Sequence, residues 1–128
     1  MNPSEPCPCG ASASYAACCG RYLDGGQCPE TAEALMRSRY VAYVRGRVDY
    51  LLRTWHPTTQ PTPLDLADEP GRWLGLKVVR VEAGGPEETM GIVEFVARYK
   101  VNGRVHRLHE ISRFVREAGQ WWYRDAQA

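Results

Sequence analysis

The sequence GIVEFVARYKVNGRVHRLHEISRFVRE, residues 91–117, decides the fold because two alternating apolar runs flank one turn signal. Asn102 and Gly103 form that turn, since both residue types readily adopt the positive φ angles of a two-residue β-hairpin. The hairpin predicts a register in which facing residues share one side of the sheet. That side carries the facing pairs Val101–Arg104, Tyr99–His106, Ala97–Leu108, Phe95–Glu110 and Val93–Ser112.

The strands around this hairpin extend it into an antiparallel meander. A first strand is predicted over residues 74–82, and a turn at Ala118-Gly119 leads to a last strand. The continued register adds the facing pairs Phe114–Tyr123 and Ser112–Asp125 to the same side of the sheet. That side is mostly apolar, and we therefore expect it to line the core while the opposite, charged side faces solvent.

The region before the sheet has the spacing of helices. Apolar residues recur at steps of three and four over residues 31–45, with Thr31 as N-cap and Gly46 as stop. A short second helix is predicted over residues 49–55, and the proline-rich stretch 56–71 is predicted to be a connecting loop. Two helices followed by an antiparallel meander indicate an α+β fold, with helices on one face of a curved sheet.

Four cysteines lie close together in CPCGASASYAACCG, residues 7–20. Cys7 and Cys9 form one pair, and Cys18 and Cys19 form a second pair after eight intervening residues. Two such pairs can supply the four thiolates of a tetrahedral zinc site, each about 2.3 Å from the metal. A glycine follows each pair and permits a tight turn there. The pattern predicts a closed structural zinc site, which has no open position for catalysis.

The spacing leaves other roles for these cysteines open. A disulfide is disfavoured because neighbouring cysteines seldom bond without strain, and a redox centre more often has two residues between its cysteines. A closed set of four thiolates also binds iron, and we prefer zinc because no neighbouring feature indicates redox chemistry. Cys28 lies outside the cluster and is predicted to be a free thiol or a replacement for one of the four ligands.

The segment CPCGASASYAACCG resembles the SEC-C motif, a small zinc-binding element first noted at the C-terminus of the SecA translocation ATPase. TAEALMRSRYVAYVRGRVDYLLRTWHP (residues 31–57), GIVEFVARYK and LHEISRFVREAGQWWYRD together resemble the YchJ-like family of small bacterial proteins. The resemblance implies a zinc-binding element over residues 1–28 and a nuclear-transport-factor-2-like (NTF2-like) domain, a cystatin-like α+β cone, over residues 29–128. It also assigns the metal ligands to Cys7, Cys9, Cys18 and Cys19, although many SEC-C motifs end in Cys-His.

Polar residues on the apolar side of the sheet indicate a candidate ligand pocket. Glu110, Ser112 and Asp125 lie on that side, and Arg39 falls inside the apolar stripe of the first helix. Because a buried arginine and a buried glutamate are each costly alone, we expect Arg39 to pair with Glu110. Tyr43 or Ser112 would take the remaining hydrogen bonds, and Trp55 completes the pocket candidates. A purely structural pair, or an arginine that extends to the domain edge, is the alternative.

Other residues carry weaker signals. His56 could act as a general base near neutral pH, or simply pack as a loop residue beside a proline. Four tryptophans and seven tyrosines could stack on bases or peptides, but they are also expected to fill a small core. A stripe of arginines on the outer sheet face, which could meet phosphates, is expected to be solvated and partly neutralised by Glu94. The stripe comprises Arg98, Arg107, Arg113 and Arg124.

Composition restricts the choice of partners. The 128 residues are 44% hydrophobic and 24% charged, as in a soluble globular protein, and the net charge is only +1. This charge makes nucleic acid or anionic lipid an unlikely partner. No apolar run approaches the ~20 residues of a membrane span, and MNPSEPCPCG lacks the features of a leader peptide. We therefore expect a cytoplasmic protein with no membrane partner.

Three functions remain open at this level. The first is a binding or adaptor module that holds zinc, takes a ligand in the cone, and docks a protein or peptide through its zinc element. The second is a small enzyme in which Glu110, assisted by His56 or Asp125, transfers protons on a hydrophobic ligand. The third is a weak nucleic-acid binder. The chain contains no recognisable catalytic triad, which favours the first function, and a homodimer through the exposed sheet face stays open.

Overall fold

Three helices precede four strands in the computed structural model, which describes residues 4–61 and 71–127. The helices are α1 (Gly20–Leu23), α2 (Ala32–Arg45) and α3 (Val48–Arg53). The strands are β1 (Arg72–Ala83), β2 (Met90–Val101), β3 (Arg104–Glu117) and β4 (Gln120–Gln127). They form one antiparallel sheet in the order β1-β2-β3-β4, with α2 packed against it. The predicted α+β class is therefore confirmed.

The central hairpin has the predicted register. All five facing pairs of β2 and β3 are present, from Val101 opposite Arg104 to Val93 opposite Ser112. The turn residues Asn102 and Gly103 have φ angles of 50° and 80°, as this hairpin turn requires. Burial follows the alternation, which places one face of the sheet under the helices. Its buried residues include Val93, Phe95, Ala97, Ser112 and Phe114.

The predicted register of the last strand is only half correct. Phe114 lies opposite Tyr123 as predicted, but an irregularity between Arg113 and Phe114 shifts the pairing beyond that point. Asp125 consequently lies opposite Arg113, and Ser112 lies opposite Ala126. A β-bulge of this kind adds one residue to a strand and turns the following side chains to the other face.

The helices begin and end close to the predicted positions. The Thr31 hydroxyl accepts a hydrogen bond of 3.0 Å from the Ala34 amide, and Gly46 ends α2 with a φ of 68°. α3 is shorter than expected, and the single turn of α1 was not predicted. The predicted loop over residues 56–71 falls largely on residues 62–70, which lie outside the described residues.

The cysteine-bearing segment packs directly on the helices. The Arg37 side chain donates to the Cys9 carbonyl at 2.8 Å, and Arg47 binds Asp24 at 2.7 Å. The Trp121 indole N–H donates to the Glu30 carbonyl at 3.0 Å, which ties the connection to the sheet. The buried cysteines consequently belong to the same apolar cluster as the helix and sheet residues.

Close backbone contact joins the start of α2 to the sheet. The Ala32 amide donates to the Gly84 carbonyl at 3.0 Å. A Cβ atom at Gly91 would lie 2.6 Å from the Cα of Gly84 and 2.9 Å from the Cβ of Ala32. Only glycine therefore fits at position 91 without moving the helix or β1.

We predict that Gly91→Ala lowers the free energy of unfolding by about 2 kcal/mol because it overpacks this contact. Gly103→Ala is the matched control: its Cβ would meet no atom within 4 Å, and its positive φ alone would cost about 1 kcal/mol. Urea unfolding of both variants measures the difference. A Gly91→Ala protein as stable as the wild type would contradict the close contact.

Candidate functional site

Four cysteine thiols converge at one point beside α1 and α2. The sulfurs of Cys7, Cys9, Cys18 and Cys19 all lie within 4.8 Å of one another. The Cys9 and Cys18 sulfurs are 3.6 Å apart, and those of Cys18 and Cys19 are 4.0 Å apart. All four are free thiols, and every one except the half-buried Cys18 is buried. The cluster could therefore hold a metal ion.

The backbone around the thiols favours negatively charged sulfur. Gly10 takes a φ of 83° after the first pair, so the chain folds back and the amide of Ala11 reaches the Cys9 sulfur. Hydrogen bonds from the Cys19 and Cys9 thiols lower the pKa of Cys7, and the amides of Cys9 and Cys19 act in the same direction. The pKa of Cys19 is raised, because its thiol retains its proton while it donates to Cys7. A bound cation would replace these shared protons.

A cavity of about 370 Å³ lies between α2 and the inner face of the sheet. Most of its walls are aromatic or aliphatic, and Arg39 and Glu110 carry the only charged groups among its described lining residues. The lining residues are Met36, Arg39, Tyr40, Tyr43, Trp55, Trp73, Phe95, Ala97, Tyr99, Leu108, Glu110, Ser112, Phe114 and Tyr123.

The structure brings five of the six pocket candidates together. Five candidates line the cavity, namely Arg39, Tyr43, Trp55, Glu110 and Ser112. The sixth candidate, Asp125, is not among the lining residues. Six aromatics of the described lining were not selected from the sequence, among them Trp73 of β1 and Tyr99 of β2, which lie opposite each other. Tyr99 could have been found from the sequence, because the predicted hairpin register already placed it on the inner face of the sheet.

Asp125 lies on the outer face of the sheet. Its two carboxylate oxygens accept hydrogen bonds from Arg113 at 2.5 and 2.6 Å, as the shifted register of β4 allows. The arginine lowers the pKa of this carboxyl. The prediction that Asp125 faces Ser112 is therefore wrong. Glu94, which was expected to neutralise Arg113, binds other partners.

The partners of Glu94 are His109, at 2.7 Å, and Arg80, at 3.1 Å. Arg98 and Arg107, from the predicted stripe, lie directly opposite each other on exposed positions of β2 and β3. The outer face is thus a mixture of ion pairs and exposed arginines.

Arg39 does not form the predicted ion pair with Glu110. Its Nη1 atom donates to the Leu51 carbonyl at 2.8 Å and to the Thr54 hydroxyl at 2.7 Å. No ion pair of 4.0 Å or less joins it to Glu110. The pairing was wrong because the C-terminal end of α3 offers unpaired acceptors that lie closer. Thr54 was missed, since a threonine at a helix end carries no distinctive signal.

Glu110 is half-buried in the cavity, and its carboxyl receives no hydrogen bond from any residue within 4–61 and 71–127. Desolvation raises the pKa of its carboxyl, and the positive charge of Arg39 offsets this effect only in part. Tyr123 faces the same space, and desolvation together with the nearby Glu110 raises its pKa to about 12. The carboxyl of Glu110 is therefore the most readily titrated group of the cavity.

His56 lies away from the cavity. Its Nδ1 atom bonds to the Thr58 hydroxyl at 2.7 Å, and its Nε2 atom bonds to Glu117 at 3.0 Å. Its ring contacts Trp122 edge-on. The structure thus separates His56 from Glu110, with which it was expected to cooperate.

Two family models match the chain. A model described as YchJ, middle NTF2-like domain, matches residues 31–126, and the SEC-C motif matches residues 4–21. A UPF0225 protein of Chromobacterium violaceum is 56% identical over 120 residues, covering 91% of this chain and 88% of the relative. A UPF0225 protein of Streptomyces coelicolor is 51% identical over 126 residues, covering 98% and 97%.

Two solved structures have the same fold. The solution structure of a SEC-C motif containing protein from Rhodopseudomonas palustris matches with a TM-score of 0.83 and 33% identity, over 100% of this chain and 98% of that one. The crystal structure of a SEC-C motif containing protein from Psychrobacter arcticus gives 0.79 and 31%, over 98% and 84%. These matches confirm the cone fold and the resemblance of the cysteine segment. No helix of the described residues is long and apolar enough to cross a membrane.

We predict that Glu110→Gln raises the melting temperature at pH 7. The raised pKa means that the ionised carboxylate is less favourable in the folded than in the unfolded protein, so stability falls as the pH rises through the folded-state pKa. Below pH ~4, where the carboxyl is protonated in both states, the two proteins should melt alike. Thermal melts from pH 3 to 8 test this, with the exposed Glu87→Gln as control. A melting temperature of Glu110→Gln below that of the wild type at pH 7 would contradict this prediction and indicate that Glu110 pairs with Arg39.

Proposed function

This chain belongs to the YchJ-like family and carries a SEC-C motif ahead of its NTF2-like domain, and from that premise we propose that it is a zinc-stabilised binding protein. In this proposal, zinc holds the N-terminal segment against the helices, and the cone binds a small, largely apolar ligand. The aromatic cavity between α2 and the sheet carries the proposal.

The sulfur geometry fits a tetrahedral metal ion such as zinc. Four sulfurs at about 2.3 Å from a central zinc ion form a tetrahedron with edges of about 3.8 Å. The distances of 3.6 Å between Cys9 and Cys18 and 4.0 Å between Cys18 and Cys19 lie on either side of that value. All four ligand positions are then filled by protein sulfur, which suits a structural rather than a catalytic metal.

Elemental analysis of the purified protein tests the metal site. We expect about one zinc and no iron per chain in the wild type, and loss of the zinc in Cys18→Ser, because three thiolates leave the tetrahedron incomplete. Cys18 is the half-buried member of the set, so its replacement disturbs the core least. Cys28→Ser is the matched control, since Cys28 is exposed and outside the cluster, and it should retain the metal. Iron, or a metal-free wild type, would refute the zinc site.

The cavity has the properties of a ligand site. Its volume of about 370 Å³ falls in the lower part of the range for small-molecule pockets, roughly 300–1,000 Å³. Its walls are mostly apolar. Arg39 of α2 and Glu110 and Ser112 of β3 provide a few polar groups. Such a combination binds an apolar body by burial and orients it through the polar groups.

A substitution that fills the cavity tests the ligand site. Ala97→Phe places a ring in the cavity and should weaken binding of the neutral fluorescent probe N-phenyl-1-naphthylamine by at least about tenfold. Val105→Phe adds the same ring on the outer face, where Val105 is exposed, and should bind like the wild type. Circular dichroism verifies that both variants fold. Equal binding by all three proteins would exclude the cavity as the site.

Proton transfer is the second candidate, because the pKa of Glu110 is raised and the carboxyl is not tied to Arg39. A carboxyl whose pKa is raised can act as a general acid. His56 and Asp125 lie outside the cavity lining, so Glu110 would act without the assistance expected of them. Binding without chemistry needs fewer groups, and we therefore place it first.

Partners beyond a small ligand stay predictions. These are a protein or peptide bound by the cysteine-bearing segment, a homodimer, and a weak interaction of the exposed Arg98 and Arg107 with nucleic acid. Residence in the cytoplasm and a domain boundary between residues 28 and 29 are predictions of the same standing.

A further inference from the structure

The cavity wall contains a buried cation, Arg39, that has no counter-ion within 4.0 Å among the described residues. The Arg39 side chain is only 5% exposed, and its two hydrogen bonds both use Nη1 and both end on neutral oxygens. Over residues 4–61 and 71–127, no acceptor reaches Nε or Nη2, and no carboxylate lies within 4.0 Å of the guanidinium. Buried charges in proteins are normally paired, so this arrangement is incomplete by itself.

Two aromatic rings beside Arg39 form cation–π contacts with its guanidinium. The guanidinium carbon lies 4.9 Å from the ring centre of Trp55 and 4.5 Å from that of Tyr123, both within cation–π range. Two aromatic faces that could attract a cationic ligand are thus occupied by the protein's own charge. A second cation in the cavity would also be repelled by Arg39 at short range.

Glu110, the one acid among the described lining residues, opposes an anion less strongly than an ionised carboxylate would. Burial raises the pKa of Glu110, which favours the neutral carboxyl, while burial lowers the pKa of Arg39 only to about 10, so that the guanidinium stays charged. A neutral carboxyl donates a hydrogen bond, and a carboxylate ligand can accept it. The hydroxyl groups of Tyr43 and Tyr123 are among those that line the same cavity.

We propose that the cavity binds an apolar carboxylic acid in its carboxylate form, with Arg39 as the ion-pair partner and the aromatic walls around the apolar body. The proposal rests on the proposed function, because it requires the cavity to be a ligand site. The ligand supplies a counter-ion through the Nε and Nη2 donors, which no acceptor of the described residues reaches, and its body fills the apolar volume.

Three probes with one apolar body and different head groups test the charge preference: 2-naphthoate, 2-naphthamide and 2-naphthylmethylammonium. Binding to the full, metal-loaded wild-type protein is measured by calorimetry at pH 7. We expect the carboxylate to bind at least about tenfold more tightly than the amide, and the ammonium more weakly still, because only the carboxylate forms a charge-assisted pair.

The outcomes separate this inference from the proposed function. An amide or ammonium that binds as tightly as the carboxylate, and loses binding in Ala97→Phe, overturns the anion preference and leaves the ligand site intact. Failure of every probe, including the neutral N-phenyl-1-naphthylamine, overturns both.

Two variants identify the groups involved. Glu110→Gln keeps a neutral donor at that position, so 2-naphthoate should bind at least as tightly as it does to the wild type, and a lost affinity would overturn the proposal. Arg39→Met should remove the preference for the carboxylate over the amide, and retention of that preference by a folded variant would also overturn it. Arg39 supports α3, so Arg39→Met is judged only if circular dichroism shows native helix content. If the variant does not fold, the wild-type probe series alone decides.

Discussion

The cone depends on the antiparallel register of β2 and β3. Side chains alternate between faces, so a slip of β2 by one residue would exchange its inner and outer faces relative to β3. Val93, Phe95 and Ala97 would then reach solvent, and Arg98 would be driven under α2. The positive φ angles of Asn102 and Gly103 hold the strands in the one register that avoids this.

A buried charge is the second constraint on the domain. The last carbonyls of α3, like those of every helix, have no partner within the helix, and Arg39 reaches across from α2 to bind that of Leu51. The Thr54 hydroxyl relays the contact, since it accepts from Arg39 and bonds to the Tyr50 carbonyl at 2.8 Å. The guanidinium therefore joins two helices and two aromatic rings, which explains how a cation can reside in a largely apolar wall.

Local sequence patterns were sufficient to predict the hairpin and α2. Burial of one face imposes a clear alternation on β2, and the Thr31 side chain caps the start of α2. These patterns were insufficient for β4, where one irregularity between Arg113 and Phe114 reverses the face of Asp125. Both faces of that strand end in polar residues, so no change in hydrophobicity reveals the shift.

The site was predictable only to the level of faces. Helical spacing correctly placed Arg39 toward the core, and the hairpin register correctly placed Glu110 on the inner face. Neither pattern measures how far a side chain reaches, and neither shows that the end of α3 would offer nearer acceptors. The cysteine spacing was more informative, because a segment of fewer than 20 residues keeps its four thiols close together in space.

The cysteine cluster and the cavity are built on the same helix. Arg37 and Arg39 are separated by about 200° around α2, so they point to nearly opposite sides. Arg37 holds the carbonyl of Cys9, whereas Arg39 lines the cavity. Even Ser38, between them, is fully buried and bonded to the Tyr50 hydroxyl. A chain of 128 residues has limited apolar surface to bury, and a segment clamped on the far side of α2 turns a half-exposed helix into a central one. The cysteine-bearing segment thereby packs behind the wall from which Arg39, the only cation among the described lining residues, projects.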